Sequence, residues 1–175
     1  MGEGSIGNIL RGSVGEQQPV EPSPVSFPAQ SVAVSPDGRY VVASVYRKTE
    51  PHHLVFLEDL ALHSRRKLFS YDNHLSLLWQ PNSKSVAVND YSGSGHSTCS
   101  IISVDAKIAP IQIDDALSHQ ISDGEWGKVK NGLSDQHASI EALAWDGPPV
   151  VLVVQVSIDG YLERVYDVLL PTGSS

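Results

Sequence analysis

The sequence predicts an all-β fold of repeated antiparallel four-stranded sheets, interrupted by a short helical insertion. Three observations carry the prediction. Runs of Val, Ile and Tyr alternate with small or polar residues and are separated by turn residues. The same order of runs returns 45 residues later, with Pro81 standing where Pro36 stood. One segment, "DDALSHQISDGEWGKVKNG" (114–132), breaks that period.

Residues 1–30 are rich in Gly, Ser, Pro, Glu and Gln and read as an extended or flexible N-terminal arm, stiffened by proline over 16–28. Within it, "VSFP" has the alternative of adding as an edge strand to the sheet that follows. From residue 31 to 171 the chain reads as one β domain. "SVAVSPDGRYVVASVY" (31–46) is strand, Pro-Asp-Gly turn, strand: Pro36 presets φ, Asp37 bonds back to the backbone, and Gly38 accepts positive φ. "HLVFLEDLALHSRRKLF" (53–69) adds two strands around a polar turn, which completes a first unit over 31–70. "LLWQPNSKSVAVNDY" and "TCSIISVDAKIAPIQI" repeat that order over 75–113. The insertion, 114–139, is expected to hold a short helix over Asp115–Gln120 and then a glycine-containing loop. A degenerate third copy over 140–171, "ALAWDGPPVVLVVQVSIDGYLERVYDVLLP", places Trp145 where Trp79 stands in the second.

A period of this length is that of propeller blades. "VAVSPDGRYVVASV", with "WQPNSKSVAVND" as a weaker second copy, resembles the blade repeat of TolB-like and prolyl-oligopeptidase-type propellers, and more loosely the WD-repeat class. The resemblance implies a Ser-Pro-Asp-Gly turn joining the first two strands of each four-stranded blade. It implies little about function, because propellers host many activities. A closed propeller needs at least about four blades, and this chain has material for two to three. The expected architecture is therefore an open half-propeller. Its uncovered edge is closed by the arm, the insertion, a second chain or a protein partner.

Composition narrows the partners. A net charge of −8 argues against nucleic acid, which requires a basic face. No run of about 18 apolar residues is present, which argues against a membrane span. The single cysteine, Cys99, excludes an internal disulfide and any multi-cysteine metal site. Neither observation decides between cytoplasm and periplasm, nor between monomer and homodimer.

Catalytic signatures are weak. Around Ser94 the frame is Ser92-Gly93-Ser94-Gly95-His96, which lacks the first glycine of a nucleophile elbow and is followed by a strand rather than a helix. Cys99 lies in a strand, where a lone cysteine is usually a small buried hydrophobe. His52 and His53 are adjacent and point to opposite faces of a strand. His96 and Asp90 flank one loop and can meet, but no metal-ligand spacing surrounds them. Neither metal nor cofactor is expected.

These readings favour a non-enzymatic protein-binding module. Its most concrete version is an inhibitor or bacterial immunity-type protein that occludes a toxin or effector enzyme. The expected contact surface is a long loop, Tyr91, Ser92, Gly93, Ser94, Gly95, His96 and Ser97, beside Tyr46, Arg47 and Lys48 of the preceding unit, with Glu125 and Trp126 flanking. The alternatives are a hydrolase using Ser94 or Cys99, and a structural propeller fragment completed by self-association.

Overall fold

A computed structural model of the chain describes residues 22–93, 95–147, 151–159 and 162–170. The all-β expectation holds. Strands β1 (Val25–Phe27), β2 (Val32–Val34), β3 (Tyr40–Arg47), β4 (Glu50–Asp59), β5 (Ser64–Tyr71), β6 (Leu75–Trp79), β7 (Ser85–Gly93), β8 (His96–Ser103) and β9 (Ile111–Gln112) precede the helices α1 (Ile113–Ser118) and α2 (Asp123–Ser134). β10 (Ala138–Asp146), β11 (Val151–Ile158) and β12 (Leu162–Leu169) follow. β2-β3-β4-β5 form a four-stranded antiparallel sheet. A larger mixed sheet runs β1-β6-β7-β8-β10-β11-β12, with β9 also on β8. Its halves, β6–β9 and β10–β12, are joined at the single parallel bridge Ser139↔Ser97.

The 45-residue repeat is visible in hydrogen bonds. In the first turn Ser35 Oγ donates to Asp37 Oδ1 at 2.6 Å, and Asp37 Oδ1 accepts from the Arg39 N–H. These bonds favour the ionised carboxylate and hold its pKa below the ordinary value. In the second turn Asn82 Oδ1 accepts from the Lys84 N–H in the same way, and Ser83, at φ +62°, takes the place of Gly38, at φ +73°. Ser83 Oγ also accepts from the Asp37 N–H, so the two turns abut. The tryptophans behave alike: the Trp79 indole N–H donates to the Ala33 carbonyl, and that of Trp145 to the Leu78 carbonyl. Ala33 and Leu78 are equivalent positions in the first two units.

Two cores result. Val42, Val55 and Leu57 of the first sheet pack against Leu75, Leu77, Trp79, Val86 and Val88 of the second unit. The other face of that unit, including Leu78, Ala87, Cys99 and Ile101, packs against Ile140, Ala142, Leu152 and Val154, with α1 and α2 contributing Ile113, Leu117 and Val129. Strand periodicity sends alternate residues into the two cores.

Three expectations need correction. "VSFP" forms a strand, but β1 pairs with β6 of the second unit rather than with the sheet that follows it directly; Phe27 is fully buried there. Residues 1–21 of the expected arm lie outside the described residues. The short helix begins two residues earlier than expected, at Ile113. The glycine-containing loop after it is instead the twelve-residue helix α2. Three glycines lower its intrinsic helix propensity, but a Cβ on Gly132 would lie 2.9 Å from Ala138 Cβ, so glycine there permits close packing on β10. α2 ends in a Schellman motif: the His137 N–H donates to the Gly132 carbonyl and that of Gln136, at φ +60°, to the Leu133 carbonyl. Among the described residues no helix is long and apolar enough to cross a membrane.

Candidate functional site

The expected contact loop is mostly strand. β7 continues to Gly93 and β8 resumes at His96, with Gly93 and His96 paired. Between the Asp90↔Thr98 and Gly93↔His96 pairs, Tyr91 and Ser92 oppose Ser97 alone. This is a β-bulge, which bends the ribbon and re-aims its side chains. Extra residues that read as loop in sequence are thus taken up by a bulge and a tight turn. Gly95, at φ +85°, occupies that turn and is solvent-exposed. Ser94 lies outside the described residues.

Several of the expected contact residues are turned inward. Ser97 is fully buried, and its Oγ donates to Glu141 Oε1 at 3.1 Å, while Tyr91 Oη donates to Glu141 Oε2 at 3.1 Å. Burial, reinforced by the Glu141 charge, pushes the Tyr91 phenol up to about 12. His96 Nδ1 lies 3.1 Å from the Ala138 carbonyl, which can only accept, so Nδ1 carries the proton. Nearby, buried Asn89 donates to the Ala142 carbonyl at 3.0 Å and accepts from the Ala142 N–H at 2.8 Å. The side chain of Asn89 thereby acts as a strand neighbour for β10. Tyr91, His96 and Ser97 belong to the seam that joins the second and third units.

The first unit supplies a matching hairpin. Between the Tyr46↔His53 and Arg47↔Glu50 pairs, Pro51 and His52 are extra. The bulge turns His52 toward Asp72, to which its Nδ1 is bonded. His53 lies between Tyr46 and Tyr71, with ring centroids 5.1 and 4.9 Å away. Asn73 Nδ2 donates to the Ser92 carbonyl, and His74 stacks on Tyr91 at 4.3 Å. Both hairpins therefore reach the Asp72–His74 connector and share one rim. Tyr46, Arg47, Lys48, Ser92 and Gly95 are the exposed members of the expected set on that rim.

Asp90 sits beneath it. Burial raises its pKa above the ordinary carboxylate value, and nearby Asp72 adds to the effect, while His96 and His74 oppose it. Asp90 and His96 lie on the two paired strands of one hairpin. No group of three or more His, Cys, Asp or Glu positioned for a metal occurs among the described residues.

Glu125 and Trp126 do not flank the rim. Gly132, near the C-terminal end of α2, meets Ala138, beside His96, and Glu125 lies roughly 10 Å farther along the helix. Glu125 accepts from Tyr166 Oη at 2.8 Å and pairs with Arg164, which ties α2 to β12. Trp126 packs against the second core and lines an open cleft of about 510 Å³ with Asp114, Asp115, Lys130 and Leu133. Cys99 is also a core residue, and burial pushes its thiol up to about 12, which removes the thiolate a nucleophile needs near neutral pH.

No family model matches the chain, and no curated protein matches it. The residues that the sequence did not single out as a site are Asn89, Asp72 and His74. Their importance depends on which strands become neighbours, and no local motif signals that.

Proposed function

We propose that the chain is a non-enzymatic protein-binding module, built as an open stack of propeller-type sheet units. One observation carries this reading: apolar side chains stand in solvent on the outer faces of both end units. Val32 and Val34 are 46% and 54% exposed on the first sheet, and Val165 and Leu169 are 60% and 56% exposed on the last. The faces between the units form the two apolar cores, whereas the end faces set exposed apolar side chains among charged ones. Apolar side chains exposed together on one sheet face and surrounded by polar residues favour an interaction surface.

The narrower version is an inhibitor or immunity-type protein that occludes an enzyme's active site. Its occluding element is then the shared rim of hairpin tips, with Tyr46, Arg47, Lys48, Ser92 and Gly95 outermost. The whole of Tyr91–Ser97 is a poor plug, because Ser97 is held by Glu141 inside the fold. Affinity capture separates the two versions. A partner lost on Val34→Asp or Val165→Asp binds an end face; one lost on Tyr46→Ala with Arg47→Ala binds the rim. A partner retained by all of these variants refutes both.

A further inference from the structure

The outer faces can be assigned residue by residue, because antiparallel partners share a face. On the first sheet the outward rows are Val34, Val41, Glu58 and Arg65, and Val32, Ala43, Phe56 and Lys67. Arg66, one residue out of phase, bonds inward to the Ser103 carbonyl. On the last sheet the outward positions of β11 and β12 are Val151, Val153, Gln155 and Ser157, paired with Leu169, Asp167, Val165 and Glu163.

Inside the chain the two face-to-face contacts between units share one feature, although the second adds the Ser139↔Ser97 bridge and side chains of α1 and α2. The face that carries the tryptophan position packs on the opposite face of the preceding unit, and the indole bonds to the residue before the equivalent position there. The first unit carries Val34 at the tryptophan position, and its face points outward with nothing described on it. The third unit carries Ala144 at the position of Ala33 and Leu78, and its corresponding face also points outward. The two free faces therefore stand where the two internal contacts pair their faces, with Val34 in the place of the tryptophan.

Their charges are complementary. Lys67 has no ion pair among the described residues, and Arg65 is paired only with Glu58. Along the described parts of β10, β11 and β12 the last face carries Glu163, Asp167 and Asp146, and Glu141 at its β10 edge, where Ser97 and Tyr91 hold it, and neither Lys nor Arg.

We infer that these faces bind each other between two copies of the chain, the β2–β5 face of one on the β10–β12 face of its partner, in a closed pair in which both contacts form. The inference rests on the protein-binding reading above and names the partner as a second copy. A head-to-tail contact of this kind either closes or propagates, and the closed pair leaves no apolar face in solvent.

Sedimentation of the purified chain tests it. At about 10 μM, above the roughly 1 μM or tighter dissociation constant that the inference requires, the wild type is expected to be a dimer. Val34→Asp and Val165→Asp each place an unpaired charge in one contact and weaken association by about 100-fold or more. Each variant alone is then a monomer. Their equimolar mixture recovers a dimer, because the intact first face of Val165→Asp meets the intact last face of Val34→Asp.

A wild-type monomer overturns the inference, as does a concentration-dependent ladder of larger species, which shows an open contact. A dimer that survives either variant, or a mixture that stays monomeric, also overturns it. Circular dichroism reports whether the variants remain folded, and Val34→Lys and Val165→Lys replace any aspartate variant that does not. Failure here is separable from failure of the broader reading. A monomeric wild type whose captured foreign partner is lost on Val34→Asp sinks the self-pairing alone.

Discussion

Replacing Asn89 measures how strongly the second and third units are held together. Its side chain makes two buried hydrogen bonds to the backbone of Ala142, one as donor at 3.0 Å and one as acceptor at 2.8 Å. Asn89 is 4% exposed and Ala142 is 6% exposed, so bulk water does not reach the groups left behind. A buried backbone group that loses its partner costs about 1–3 kcal/mol. Two such groups place Asn89→Ala at about 2–6 kcal/mol, a large part of the roughly 5–15 kcal/mol that stabilises a typical domain. Asn89→Leu fills the space without restoring either bond, so its loss isolates the hydrogen-bond share from the cavity share. Urea unfolding followed by circular dichroism reads both, through a lowered midpoint at unchanged slope. Losses below about 1 kcal/mol for both variants would mean that the Ala142 groups are satisfied otherwise, and would refute the account of Asn89 as a surrogate strand.

Three further outcomes follow from the same geometry. Gly132→Ala should destabilise by about 1–3 kcal/mol, although alanine is the better helix former, because the new methyl meets Ala138 Cβ at 2.9 Å; a stabilised variant in thermal melts would contradict this. Cys99 should resist a thiol-specific reagent at neutral pH until the chain unfolds. Because its folded pKa is raised from 9.0 to about 12, its contribution to stability is complete below pH 9.0 and is lost as pH rises toward 12; rapid labelling of the native chain at pH 7 would exclude the buried placement. Asp90 also has a raised pKa, so its neutral form is the one the fold favours, and its contribution is complete below 3.8 and declines as pH rises through the folded value. Asp90→Asn should therefore raise the melting temperature at pH 7 and lose that advantage in acid, and an advantage that grows in acid would reverse the assignment.

Much of the fold was legible in the sequence because its causes are local. Pro36-Asp37-Gly38 and Pro81-Asn82-Ser83 carry the turn chemistry themselves, and Val-rich alternation marks strands wherever one face is buried. The equivalence of Trp79 and Trp145 was also readable, because both follow the same repeat. The candidate site was less legible. Tyr91–Ser97 looked like a projecting loop because Ser and Gly cluster there, while a bulge between Asp90 and Gly93 absorbs two of those residues into a strand. A bulge is defined by its partner strand, and no residue of β7 announces it.

The sequence by itself determined the strands, the turns and the period, since each depends on side chains only a few residues apart. Tertiary structure decided which strands became neighbours. It sent β1 to β6, turned a glycine-rich stretch into α2 against Ala138, and directed Asn89, Tyr91 and Ser97 to β10. The β1 pairing and the contacts of Asn89, Tyr91 and Ser97 span 44 to 53 residues of chain, while the packing of α2 on Ala138 depends on where β10 is placed by its own distant partners. Packing and the satisfaction of buried polar groups select such contacts only once the chain has folded, so local sequence pattern carries no trace of them.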